Sequence, residues 1–298
     1  MHDQPEHGVA HELEPGVRRV LAPNPSPMTH WGTNTYLVGT DELAVIDPGP
    51  ADAGHLAALR TAIGAARVSH ILITHAHRDH SPLAAELQAA TGAPVLAFGP
   101  AEAGRSPVMA RLAAEGLVGG GEGVDAGFQP DETLADGDRI TGPDWALQAI
   151  HTPGHFAGHL SFALNDAVFT GDHVMGWAST LISPPDGDLT AFMASCDRLL
   201  ARSDRVYYPG HGAPIPDPRA RTEWLVAHRK GREAQILEAL TNGPAGATTL
   251  ATAIYTDTPP ALLPAAVRNV LAHLIDLETR GRVHATPSLS ADAEFSAV

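Results

Sequence analysis

Residues 74–81, THAHRDHS, place His75, His77, Asp79 and His80 within six positions. Such side chains are costly to bury together unless something holds them. The stretch follows HILIT (70–74), an apolar run that reads as a short buried strand. It precedes PLAAELQAATG (82–92), which reads as a helix with Ser81 as N-cap, Pro82 in the first turn and Gly92 as the stop. A strand that runs through a polar, ligand-rich loop into a helix is how α/β sheets place sites at their strand ends.

The surrounding chain continues that alternation. NTYLVGTDELAVIDPGP (34–50) has two apolar runs about Gly39-Thr40-Asp41 and reads as a β-hairpin. Asp52 caps a helix carrying Leu56, Leu59 and Ile63, which Gly64 ends, and APVLAF (93–98) is the next strand. Residues 99–125 are Gly- and Ala-rich and admit a short helix near 106–116. From residue 128 the pattern turns to strands, with turn signals at Asp136-Gly137 and Asn165-Asp166. A helix (189–202) and the strand RVYYPG (205–210) follow.

Pro214, Pro216 and Pro218 mark a boundary. Beyond it lie three helices, near 219–241, 248–255 and 264–280, the last with Val267, Val270, Leu271, Leu274 and Leu277 on one stripe. VHA (283–285) reads as a short strand and the final ten residues as frayed. The expected organisation is a loose N-terminal arm (1–16), a main domain (17–218) and a small helical, winged-helix-like domain (219–298).

The chain has 298 residues, 44% of them hydrophobic, enough for a sizeable core, and a net charge of -15. An acidic chain is repelled by phosphate backbones unless it carries a local basic patch, so small-molecule chemistry is favoured. The single cysteine, Cys196, allows no internal disulfide and fits a reducing cytoplasm. The polar first 16 residues lack the apolar stretch of a signal peptide, and no apolar run is long enough to span a membrane.

Three more clusters each follow a run of β character: His155 in HTPGHFAGH, Asp172 in FTGDH and His211 in YYPGHG. Imidazoles and carboxylates together suit Zn, Fe or Mn, and two divalent ions about 3.5–4 Å apart can share seven such ligands. Each piece alone has a plainer reading: a polar loop, an ordinary loop histidine, or an aspartate that forms a turn. All four together, in this order, favour metal binding. Asp47 reads as an orienter of a ligand histidine, and His159 and His173 as neighbours of ligands. His55, His70 and His151 read as structural histidines. Tyr207 and Tyr208 read as core or rim, while Met175 and Trp177 are candidates for pocket lining.

The order and flanking words (THAHRDHS, TPGH, TGD, PGHG) resemble the metallo-β-lactamase superfamily over residues 17–215. The resemblance implies an αββα sandwich with the metals at one edge. Carried over by motif, His75, His77 and His155 would hold one metal, Asp79, His80 and His211 the other, and Asp172 would bridge. Zn is the expected metal, with Fe or Mn as alternatives, and a metal-activated hydroxide is the implied nucleophile. By the same resemblance Asp79 and Asp172 would be the catalytic carboxylates, with Asp79 too close to the metals to be a free general base.

In that family the true β-lactamases lack the bridging aspartate, and one class has Cys in its place. Asp172 therefore points to the glyoxalase II, lactonase and phosphodiesterase branch. The tail AVRNVLAHLIDLETRGRVHA resembles the winged helix of lactamase-beta-2-like proteins, a group that includes a single-strand RNA endonuclease. Residues 219–298 contain eight Lys/Arg and eight Asp/Glu, which sum to zero and provide no basic stripe for RNA. The tail therefore reads as a dimer or lid element, compatible with a homodimer. The expected function is a cytoplasmic metal-dependent hydrolase of a small ester, thioester or lactone. The rivals are an endoribonuclease, a mononuclear iron persulfide dioxygenase and a non-catalytic binding protein.

Overall fold

The computed structural model describes residues 4–298. Its first sheet has seven strands in sequence order: β1 (Ala10–Glu14), β2 (Val17–Leu21), β3 (Asn34–Val38), β4 (Glu42–Ile46), β5 (Arg67–Leu72), β6 (Val95–Ala97) and β7 (Glu132–Thr133). The β3–β4 hairpin is antiparallel, whereas β4, β5, β6 and β7 pair in parallel. The crossovers carry α1 (Ala53–Ile63) and α2 (Leu83–Thr91), as parallel pairing requires. A second sheet runs in the order β12 (Val206–Pro209), β11 (Ala167–Gly171), β10 (Leu160–Leu164), β9 (Ala146–His151), β8 (Arg139–Thr141).

Side chains alternate across each sheet and so build two cores per sheet. Tyr36, Val38, Ala44 and Ile46 meet Leu147, Phe162, Phe169 and Tyr208 between the sheets. Leu37, Leu43 and Val45 point the other way, toward Leu59 and Leu87 of the helices. On the outer face of the second sheet, Val168 and Tyr207 pack on Phe192, Cys196 and Leu199 of α4 (Leu189–Leu200). The layers are therefore αββα, as the resemblance implies.

The rest of the chain forms α3 (Pro107–Ala114), α5 (Pro218–Leu240), α6 (Ala247–Ile254), α7 (Leu263–Thr279) and the hairpin of β13 (Val283–Thr286) and β14 (Glu294–Ala297). Phe295, fully buried, closes a core with Ile236, Leu250, Leu274 and Met109.

Four expectations need correction. Residues 10–14 of the supposed loose arm are β1, paired to β2 from Ala10↔Val20 to Glu14↔Val17. Residues 294–297 of the supposed frayed end are β14, whose Phe295 also exchanges backbone hydrogen bonds with Ala245. Ser81 is not a capping side chain: its hydroxyl donates to Asp125 (2.9 Å), with the His77 carbonyl (3.2 Å) as the alternative acceptor, and α2 begins after Pro82 without a side-chain cap. The strand read at 70–74 starts and ends earlier, at Arg67–Leu72, because the Thr74 N–H leaves the ladder for Asp47 Oδ1 (2.7 Å).

Candidate metal centre

Four loops bring seven buried side chains to one edge of the sandwich. His75, His77, Asp79 and His80 follow β5, His155 follows β9, Asp172 follows β11 directly and His211 follows β12. Close backbone approach packs them. A Cβ on Gly210 would lie 2.3 Å from Asp172 Oδ1 and 2.8 Å from His80 Cε1, so only glycine fits there.

The donor atoms converge in two groups. His77 Nδ1 lies 2.9 Å from His75 Nε2 and 3.1 Å from His155 Nε2. In the second group, Asp79 Oδ2 lies 3.1 Å from His211 Nε2 and 3.3 Å from His80 Nε2. Asp172 stands between them: its Oδ2 is 3.2 Å from His211 Nε2 and 3.7 Å from His155 Nε2, and its Oδ1 is 3.5 Å from His80 Nε2. Within each group the donor atoms lie no more than 4.8 Å apart.

Hydrogen bonds behind these side chains set their tautomers. A carbonyl only accepts, so His155 Nδ1–H donates to Leu181 O (2.7 Å) and His211 Nδ1–H to Gly32 O (3.1 Å). Asp47 Oδ2 accepts from His80 Nδ1–H (2.9 Å) and from the Thr74 hydroxyl (2.7 Å). Having donated its proton, that hydroxyl accepts from His75 Nδ1–H (2.9 Å). Each of these rings, when neutral, therefore turns a bare nitrogen inward. The inward nitrogens of His75, His77 and His155 can share at most one proton, which leaves lone pairs facing one another. His80 Nε2 and Asp172 Oδ1 are buried without a hydrogen-bond partner. A divalent cation would satisfy these atoms, and the nitrogen-and-carboxylate donor set suits zinc, iron or manganese.

Electrostatics divides the two groups. Burial, reinforced by neighbouring histidines, holds His75 well below the usual imidazole range and pushes His77 down to about 3; burial also lowers His155. In the second group burial acts the same way but is outweighed. The carboxylates of Asp79, Asp172 and Asp47 hold His80 well above its usual range, and Asp172 and Asp79 raise His211 to about 10. Burial opposes ionisation of Asp79 and Asp172, yet His80 and His211 hold both carboxyls well below their usual range. One half thus offers neutral nitrogens. The other holds protons that a cation can displace, and such exchange makes metal binding pH-dependent.

The remaining predicted residues fall in distinct places. Asp47, which adopts the left-handed backbone region (φ 50), is the anchor just described. His159 donates or accepts at Thr152 Oγ1 (2.9 Å), its ring 5.2 Å from that of His75. His173 lies against Cys196 Sγ (3.7 Å). His55 bonds Thr35, His70 bonds Ser69 and His151 stacks on Phe98, all away from the donors. Tyr207 and Tyr208 are core. Thr74, Asn269 and the Leu181 carbonyl escaped the sequence reading. Thr74 was signalled by its place in THAHRDHS; the other two had no signal.

Above the donors lies a cavity of about 220 Å³. His77, Asp79, His155, Asp172 and His211 form its floor. Met28, Met175, Trp177 and Leu181 form one wall; Tyr255, Leu262, Ala266 and Asn269 of the C-terminal helices and their loop form the other. Among the described residues, no Lys or Arg lines it. No helix among the described residues is long and apolar enough to cross a membrane.

Residues 28–211 match the family model described as the metallo-beta-lactamase superfamily, and residues 247–291 match that of the beta-lactamase associated winged helix domain. The beta-lactamase-like protein 2 homolog of Drosophila melanogaster is 32% identical over 295 residues, covering 95% of this chain and 94% of its own. The atrochrysone carboxyl ACP thioesterase of Aspergillus fumigatus is 32% identical over 248 residues, covering 80% of this chain and 69% of its own. The solved metallo-beta-lactamase family protein from Thermus thermophilus superposes with a TM-score of 0.77 at 27% identity, covering 96% of this chain and 100% of that one.

Proposed function

This chain belongs to the metallo-β-lactamase superfamily, a family of hydrolases, and on that premise we propose that it hydrolyses an acyl substrate, a thioester before an ester or lactone. Two divalent ions, zinc first among them, would be held by His75, His77 and His155 and by Asp79, His80 and His211, with Asp172 between. The observation that carries this reading is a largely apolar cavity, lined by no Lys or Arg among the described residues, directly over seven converging donors. A phosphodiester backbone needs cations along its path, whereas an acyl chain needs apolar wall. The thioesterase name of the fungal relative supports the thioester.

Bound ions would supply a Lewis acid and an activated water at neutral pH. The chain's own residues do the rest. Leu181 and Gly32 keep the Nδ1 protons of His155 and His211 turned away from the donors. Asp47 orients His80 directly and His75 through Thr74. Met175, Trp177, Leu262 and Ala266 hold the acyl group and exclude bulk water. Residues 17–218 read as the metal domain and 219–298 as the domain that supplies the second wall. The lone, buried Cys196 fits a cytoplasmic setting.

The test is metal quantification together with a panel of acyl thioesters, aryl esters, lactones, a phosphodiester and labelled single-stranded RNA. We expect two ions per chain and turnover of thioesters that His77→Ala and Asp172→Ala abolish while the protein stays folded. RNA cleavage lost in Asp172→Ala would replace this reading with the endoribonuclease. One iron per chain with oxygen uptake on persulfides would replace it with the dioxygenase.

A further inference from the structure

Arg229 of α5 is only 1% exposed. Its Nη1 donates to Asn269 Oδ1 (3.0 Å), its Nη2 donates to the Thr180 carbonyl, and its Cζ lies 5.5 Å from the centre of the Phe192 ring. Its Nε has no partner. Neither acceptor carries a charge, and a buried cation without a counter-charge is costly. Its partners suggest what that cost secures.

Asn269 Oδ1 also accepts the Ile182 N–H (3.0 Å). Between Thr180 and Ile182 stands Leu181, whose carbonyl accepts His155 Nδ1–H. The Thr180 hydroxyl adds a bond to the His173 carbonyl (3.0 Å). Three consecutive residues are thus pinned, two by helices of the C-terminal domain, and the middle one faces a ligand histidine.

We propose that Arg229 and Asn269 are positioning residues for the metal centre, clamping Thr180 and Ile182 so that the Leu181 carbonyl fixes the tautomer and aim of His155. This rests on the reading above in which His155 is a ligand. Released from the clamp, the loop no longer holds its carbonyl against Nδ1. The ring can then carry its proton on Nε2, the atom that faces His77, and binding a metal must first displace it. Losing such an orienting bond typically costs about 10–100-fold in metal affinity. The effect is local, because His80 and His211 are oriented by Asp47 and Gly32 instead. The C-terminal helices thus set metal affinity without supplying a ligand.

The experiment titrates Zn2+ into the full metal-free chain against a chromophoric chelator and follows the His155 Nδ1 proton by NMR. In Arg229→Met and Asn269→Leu, one zinc equivalent should weaken about 10–100-fold and the other change by less than about threefold. The His155 Nδ1 signal should broaden or vanish. Asn269→Asp keeps an acceptor for both donors and should restore both readouts. Phe295→Ala, which loosens the same helical core from its far side, should leave both zinc affinities unchanged. Parental affinity and a parental proton signal in the folded variants would overturn the proposal, as would equal weakening of both equivalents. If Arg229→Met does not fold, Asn269→Leu against Asn269→Asp decides. A parent that binds no divalent ion removes the metal-centre reading itself, so the two failures are told apart.

Discussion

Replacing Asp47 with asparagine should disable the centre from a residue that is not among the seven donors. Its carboxylate accepts three bonds: from the Thr74 N–H (2.7 Å), the Thr74 hydroxyl (2.7 Å) and His80 Nδ1–H (2.9 Å). Asparagine tolerates the left-handed backbone at this position, and its one oxygen can keep the Thr74 N–H. Its amide nitrogen then meets two donors. The His80 ring loses the acceptor for its Nδ1 proton and is left holding its proton on Nε2, the atom turned toward Asp79 and Asp172. Bonds to a charged group contribute about 1.5–3 kcal/mol each, so losing two sets a ceiling of about 3–6 kcal/mol on the drop in stability. Metal affinity should fall about 10–100-fold, or about 1.4–2.7 kcal/mol. Chelator competition measures the second and denaturant unfolding of the metal-free protein the first. Zinc affinity within about twofold of the parent, well below the range for such orienting partners, would show that Asp47 does not orient His80 as argued.

Gly210→Ala drives a methyl to 2.3 Å from Asp172 Oδ1, so bound metal per chain, measured by elemental analysis, should drop while far-UV circular dichroism stays unchanged. His273 is held neutral down to about 3, by burial and then by Arg229, His228, Arg280 and Arg232. The unfolded chain, with an imidazole near 6.5, binds the extra proton first, so stability is lost as pH falls through about 6.5, by about 1.4 kcal/mol between pH 7.5 and 5.5. In paired denaturant titrations His273→Leu should lose less stability than the parent over that interval, and an identical loss would refute the assignment. Phe295→Ala empties a fully buried site in the C-terminal core and should cost about 3–5 kcal/mol in denaturant unfolding.

Local signals made much of the molecule legible in the sequence. The hairpin at 34–46, α1 with its Asp52 cap and the long helices announce themselves by period, cap and stop. The seven donors are legible because their chemistry is rare and each sits where a strand has just ended. What escaped depends on partners distant in sequence or on competing bonds. β1 and β14 are short edge strands, and β14 gains further support from Ala245, far from it in the chain. Ser81 was misread because a hydroxyl before a helix has other acceptors nearby, here Asp125. Arg229 and Asn269 look like ordinary helix residues. Their meaning comes from contacts to residues 180 and 182, which no local pattern encodes.

The second wall of the cavity comes from residues 255–269, whereas the last proposed ligand is residue 211. On a translating ribosome the two are separated in time. At about 5–20 residues per second, the chain carries every donor for about 3–12 s before Asn269 is made. During that interval the nascent protein has its ligands but no closed chamber. Any metal captured in that interval would sit at an open edge, and synthesis of α7 would then add the second wall above it.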